Sequence, residues 1–198
     1  MAASHLIICL HGIGASGAQM KPIADAWRGH FPGATFVTPD APLKNGYGGN
    51  QWFKVDGMQL EPKRIQEARG AFDTTIGDVI RREGFDGKNG SIAFVGVSQG
   101  AIVALDAVAS GRWKVGALVA FSGLLPPTTI SRSGNQTPVL LIHGADDRTI
   151  PSMASTVAAG QLKAAGFQVE IDIDPRVGHT ISLSGANKAL QFLRRTLL

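Results

Sequence analysis

The stretch SIAFVGVSQGAIVALDAVA, residues 91–109, holds a G-x-S-x-G pattern at Gly96-Val97-Ser98-Gln99-Gly100. The pattern joins an apolar β-like run, Ser91 to Val97, directly to an apolar helix-like run, Ala101 to Ala109. A serine on so sharp a strand-to-helix turn must adopt a strained backbone, and glycines two residues to either side let the two elements pass close together. Its hydroxyl then stands exposed at the strand end. In a chain with 25 glycines the pattern alone carries little information, and its place between strand and helix is what gives it weight.

Short apolar runs recur on both sides of this turn: Leu6 to Leu10, Thr35 to Thr38, Ile92 to Val97, Val115 to Phe121, Val139 to Ile142 and Gln168 to Ile173. Most are apolar nearly throughout, as strands covered on both faces should be. Helical patterns lie between them. Ile65, Ala68, Phe72, Ile76, Val79 and Ile80 form one apolar stripe entered through Pro62; Val157, Ala158 and Leu162 suggest a helix after Pro151; Leu190, Leu193 and Leu197 mark a closing helix. Alternating strands and helices predict an α/β protein with a mainly parallel sheet and helices on both faces. The one long irregular stretch, Pro39 to Glu61, carries Tyr47, Trp52, Phe53 and Met58. Its aromatic content favours a functional loop over a disordered one.

The 198 residues, 44% of them hydrophobic, suffice for one core and predict a single domain spanning 1–198. The net charge of +4 arises from 19 basic and 15 acidic residues spread along the chain, which gives no footprint for nucleic acid. No stretch approaches the ~20 apolar residues of a membrane span, and no basic amphipathic helix is long enough for a membrane surface. The one cysteine, Cys9, sits in an apolar run as a small hydrophobe, and the N-terminus lacks the basic region of a signal peptide. A cytoplasmic protein is the expectation.

A serine hydroxyl needs a base to take its proton and an acid to orient that base. On a G-x-S-x-G turn the partners follow in the order Ser, Asp or Glu, His. His5, His11 and His30 precede Ser98, so His143 and His179 remain. His143 ends a strand run and is followed by Gly144, which suits a turn-shaping role; the only carboxylate between it and Ser98 is Asp106, inside a helix. His179, between the last strand and the last helix, is the candidate base. Asp146 and Asp147 both follow the preceding strand; spacing does not separate them, and either could cap the next helix. For a developing oxyanion, the N–H of Gln99 and that of Ile13, in the glycine-rich loop after the first strand, are the candidate donors.

That loop, Gly12-Ile13-Gly14-Ala15-Ser16-Gly17, also fits G-x-G-x-x-G, with Asp40 at a distance suited to a ribose. A dinucleotide-binding oxidoreductase therefore explains the first forty residues equally well. It leaves Ser98, the Asp146-Asp147 turn and His179 as coincidences in the right order. A non-catalytic ligand receptor is the third reading, although such proteins usually lose part of the triad.

With these residues in hand, the chain resembles the phospholipase/carboxylesterase family of serine hydrolases, which includes acyl-protein thioesterases and small bacterial carboxylesterases. Leu10-His11-Gly12-Ile13-Gly14 is similar to the family's first oxyanion segment, Gly96 to Gly100 to its elbow, His143-Gly144-Ala145-Asp146-Asp147 to its H-G-x-x-D turn, and Gly178-His179-Thr180-Ile181 to its base segment. The resemblance selects Asp147 as the acid. Pro39-Asp40-Ala41-Pro42 and Gln51-Trp52-Phe53 are similar to family segments near the acyl site, but Lys54 stands where many members are acidic. The resemblance implies an α/β-hydrolase fold that needs no metal or cofactor, and no insertion between the strands is long enough to form a separate cap domain. A small-molecule or lipid-like acyl ester would be the substrate, with Ser98, His179 and Asp147 as the triad. Trp52, Phe53, Met58, Leu124 and Leu125 are candidates for the acyl groove, an open groove suited to short or medium chains. The aromatic loop is equally a candidate homodimer contact.

Overall fold

The computed structural model describes residues 3–55, 61–131 and 137–198; Met58 lies outside them. In chain order the elements are β1 (His5–Leu10), α1 (Lys21–Arg28), β2 (Ala34–Val37), β3 (Leu43–Lys44), β4 (Asn50–Gln51), α2 (Pro62–Glu67), α3 (Arg69–Arg82), β5 (Ile92–Val97), α4 (Gln99–Ala109), β6 (Ala117–Phe121), β7 (Val139–Gly144), α5 (Met153–Ala164), β8 (Val169–Asp174) and α6 (Leu183–Leu197). Six strands form one sheet in the order β2-β1-β5-β6-β7-β8, every pair parallel. β3 and β4 make a separate antiparallel hairpin inside the long irregular stretch.

Strand alternation divides the core. Leu6, Ile8 and Leu10 of β1, with Phe94, Leu118 and Leu141, pack against α3, α4 and α5. Ile7 and Cys9, with Val95, Val119, Phe121 and Ile142, pack against α1 and α6. Both faces of the sheet are thus covered, which is why the strand runs read as apolar throughout. All eleven residues of α4 are buried, so the helix following Ser98 is an interior element.

Strand ends shift by one or two residues from the apolar runs, and two differences have a local cause. The stripe beginning at Pro62 is broken at Ala68 into α2 and α3, but hydrogen bonds from Ala68 N–H to Arg64 and from Phe72 N–H to Ala68 carry it across the joint. Val115 precedes β6 because its N–H and C=O are both taken by the hydroxyl of Thr137. The last strand is a sheet edge. Its acidic residues Glu170, Asp172 and Asp174 engage Arg195, Lys188 and Ser182 of α6 and its cap, charges that also blunt the edge against further pairing.

From β1 the chain places β2 on one side and β5 on the other, so the carboxyl ends of β1 and β5 flank the topological switch point. In a parallel sheet that is where a ligand crevice opens. Among the described residues no cap domain is inserted over it, and no helix is long and apolar enough to cross a membrane. The architecture is a minimal α/β-hydrolase fold.

Candidate active site

Ser98 adopts φ 52° and ψ −118°, a left-handed conformation rare for a residue with a side chain. The surroundings hold it there. Its N–H donates to Phe121 O at the end of β6 (2.9 Å), and its C=O accepts from Ile102 in the first turn of α4 (3.0 Å). Both flanking glycines are sterically required. A Cβ on Gly96 would stand 2.6 Å from Ala101 N and Cα, and one on Gly100 2.3 Å from Leu10 O. The second contact shows that the elbow is packed against the end of β1. On the other side Gly12 lies so close that its Cβ would be 3.3 Å from that of Ser98.

The base arrives through a similar close approach. A Cβ on Gly144, at the end of β7, would meet Val177 O at 2.2 Å and Gly178 O at 2.4 Å, and Asp146 N–H donates to Val177 O (2.9 Å). The loop between β8 and α6 is therefore laid against the β7 turn, and Ser182 fastens its far end by accepting from Gly185 N–H and donating to Asp174. His179 comes to rest between the other two groups. Ser98 Oγ–H donates to His179 Nε2 (2.9 Å), and His179 Nδ1–H donates to Asp147 Oδ2 (2.7 Å). The His179 side chain keeps 24% of its surface exposed, whereas that of Asp147 is enclosed.

The structure separates the two aspartates that spacing left equivalent. Asp146 is exposed. Asp147 Oδ1 accepts from the N–H groups of Thr149 (2.8 Å) and Ile150 (2.9 Å). Burial works against its charge, but the hydrogen bond from His179 and those from Ile150 and Thr149 outweigh it and hold the carboxyl below its ordinary range. The α5 cap is instead at Ser152. His143, read as a turn residue, is a fully buried partner of this carboxylate. Its Nε2–H lies 2.8 Å from Ile150 O and 3.2 Å from Asp147 Oδ2, and its Nδ1 accepts from Ser155 Oγ–H (2.7 Å). The H-G-x-x-D spacing was the available signal for it.

Ile13 and Gln99 lie on the two loops that meet at Ser98, and among the described residues neither backbone N–H donates to protein. Asp40 does not stand free as a ribose ligand would, since its carboxylate accepts from Gly17 N–H at 2.7 Å and ties the glycine loop to the segment after β2. Gly12 of the same loop lies against Ser98. Cys9 is no rival nucleophile, because complete burial pushes its thiol pKa up to about 12.

The aromatic pair of the long stretch is interior. Trp52 is 0% exposed and stacks edge-on against Phe72; Phe53 is 1% exposed. The sequence offered both as acyl-groove candidates, whereas the structure encloses them in the core. Leu124 and Leu125 are half-buried and line an apolar groove of about 380 Å³ with Pro151, Met153, Val157 and Gln161 of the α5 side. Lys54 is exposed beside a smaller cleft with Leu43, Phe53 and Arg64.

The chain and its fold are similar to those of known proteins. The chain is 30% identical over 201 residues to Esterase YpfH of Escherichia coli, covering 98% of this chain and 84% of that protein. Carboxylesterase SOBER1 of Arabidopsis thaliana is 29% identical over 209 residues, covering 96% and 88%. The crystal structure of esterase PE8 superposes with a TM-score of 0.90 at 31% identity, over 99% of this chain and 94% of that one. With the Ser98-His179-Asp147 triad in place the protein is a serine hydrolase acting on ester bonds, and its match to the phospholipase/carboxylesterase model over residues 1–197 establishes that it belongs to that family.

Proposed function

We propose that the protein hydrolyses short- to medium-chain carboxylic esters, with thioesters and lysophospholipids as chemically equivalent variants of the acyl donor. The observation that carries this reading is the unbroken hydrogen-bonded chain from Ser98 through His179 to Asp147, beside the backbone N–H groups of Ile13 and Gln99, which find no acceptor among the described residues. Ser98 Oγ attacks the acyl carbonyl while His179 Nε2 takes its proton, and Asp147 orients the ring and stabilises the imidazolium. The carbonyl oxygen becomes an oxyanion bonded by the N–H groups of Ile13 and Gln99. Gln99 N–H also opens α4, so the positive end of that helix adds to the stabilisation. The imidazolium gives its proton to the leaving alcohol or thiol as the acyl-enzyme forms. A water then enters, His179 removes its proton, and collapse of the second tetrahedral species returns the proton to Ser98 and releases the acid.

Leu124 and Leu125 follow the β6 turn next to the elbow, and Pro151 and Met153 follow the Asp147 turn. The groove between them is lined from these two turns and from α5, with no triad residue in its wall, and in this reading it receives a short or medium acyl chain. In this reading Trp52 and Phe53 form the wall behind the site, and Lys54, outside the groove, affects which leaving groups are accepted. Intact mass spectrometry after fluorophosphonate treatment, with peptide mapping and a series of p-nitrophenyl esters, tests it. One adduct on Ser98, lost in His179→Ala, and a rate maximum at short or medium chains are expected. No adduct on Ser98 would remove the mechanism, and activity rising steadily to long chains would remove the chain-length assignment.

A further inference from the structure

The short segment Asn50 to Phe53 touches both loops that carry the proposed oxyanion donors. On the β1 side, Gly14 N–H donates to Asn50 O (2.9 Å) and Asn50 N–H donates to Ala15 O (2.8 Å), an antiparallel bridge directly after Ile13. Gly49 makes that bridge sterically feasible, since a Cβ there would stand 2.2 Å from Gly14 O. Two residues further on, the indole Nε1–H of Trp52 donates to His11 O (2.9 Å), just before the same loop. On the elbow side the side-chain amide of Gln99 is used at both ends: Oε1 accepts from Trp52 N–H and Nε2 donates to Phe53 O, each at 2.7 Å. Gln99 is 3% exposed and Trp52 0%, so these bonds lie where water does not replace them.

We infer that Asn50 to Phe53 is a strap that fixes the spacing of the two oxyanion N–H groups, and that the Gln99 amide and the Trp52 indole are positioning residues acting through it. The inference rests on the proposed role of the Ile13 and Gln99 N–H groups. Its physical argument is that an oxyanion hole works only when its donors are preset, because its advantage over water is that nothing reorganises during reaction. Ile13 sits in a loop that is 43% exposed at that residue and has no strand of its own to hold it. The strap supplies that hold from behind, by bonding the main chain before and after Ile13. It also bonds the side chain of the residue whose N–H is the second donor. Neither the Gln99 amide nor the Trp52 indole needs to touch substrate.

The experiment compares Trp52→Phe, which keeps the ring and deletes the indole donor, with Gln99→Met, which keeps the volume and deletes the clamp. Steady-state kinetics on a p-nitrophenyl ester are measured with affinity for a boronic acid, which forms a tetrahedral adduct on the serine, and with melting temperature. The expected result is kcat lower by about 10- to 100-fold, the scale of a donor displaced but not removed, with KM within about threefold and boronate affinity falling in parallel. Trp52→Phe leaves the buried His11 O without its donor and is expected to melt below the parent, so kinetics are measured well below its melting temperature, where the variant is folded. Parent-like kcat and boronate affinity in Trp52→Phe, or a rise in KM with kcat retained, overturns the inference. If the parent itself neither hydrolyses the ester nor binds boronate at Ser98, the proposed function has failed, a different outcome from the variants matching an active parent.

Discussion

His143 Nε2 stands 3.2 Å from Asp147 Oδ2, the oxygen that also accepts the Nδ1–H of His179. The triad carboxylate is thus held from behind by a second imidazole, which is anchored to Ile150 O and Ser155. His143→Leu leaves the buried Ser155 hydroxyl and Ile150 carbonyl without their partner and is expected to cost about 1–3 kcal/mol, with Ser155→Ala near 1. Urea unfolding at constant m-value reads both. Equal stability of parent and His143→Leu would show that the contact contributes nothing to holding the turn.

Strain at Ser98 gives a prediction in which stability and activity separate. Ala at φ 52° inherits the strained backbone, whereas Gly does not. Both substitutions delete the hydroxyl, so the hydrogen bond to His179 cancels in the comparison. Ser98→Gly is expected to be more stable than Ser98→Ala by about 1 kcal/mol, after its greater unfolded-chain entropy is counted. Both should lose at least about 10³-fold in kcat. Matched denaturation curves settle the first point, and Ser98→Ala with parent activity would end the nucleophile assignment.

How far these features could be read beforehand depended on how local they are. The elbow was legible because its steric requirement falls on Gly96 and Gly100, two residues either side of Ser98. The strands were legible because burial on both faces leaves unbroken apolar runs. Spacing alone did not choose between Asp146 and Asp147, and only the resemblance selected Asp147, since in the structure the choice is made by the N–H groups of Thr149 and Ile150 and by a loop from beyond β8. The strap was invisible for the same reason, because Gln99 meets Trp52 and Phe53 across more than forty residues of chain. Asp106 read as an idle helix carboxylate, and it is the centre of a buried ion cluster.

Glycine substitutions distinguish close approach from mere flexibility. Gly100→Ala would drive a methyl to 2.3 Å from Leu10 O, a backbone atom that cannot step aside. A loss of more than about 3 kcal/mol, or failure to fold, is expected, as for other overpacked interiors. Gly160 lies inside α5 with nothing within 4 Å of its Cβ position. Gly160→Ala should therefore stabilise by roughly 0.5–1 kcal/mol through helix propensity. Melting temperatures of the two purified variants check the pair, and a destabilised Gly160→Ala would contradict the open space seen there.

Asp106, 2% exposed, accepts from Arg69 at 2.9 and 2.7 Å and from Arg112 at 2.8 Å, while Arg112 and the Trp113 indole also reach Asp73 on α3. Burial disfavours its charge, yet the hydrogen bonds from Arg69 and Arg112 prevail and hold its pKa below the usual carboxylate range. A pKa lower in the folded than in the unfolded chain means that the folded state binds the proton less readily. Its contribution to stability is therefore complete above the unfolded value near 4 and disappears as pH falls through the folded value. Asp106→Asn keeps the shape but removes the charge. It is expected to cost about 2–3 kcal/mol at pH 7, less than a fully enclosed pair because both guanidinium groups reach solvent. The difference from the parent should stay level from pH 7 to about 5 and shrink below about 4, as the parent carboxylate takes up its proton. Asp147 is depressed in both proteins and cancels in this comparison. Urea titrations of parent and variant across that range measure it, and a gap that widens toward acid would mean that the cluster is not what holds α3 against α4.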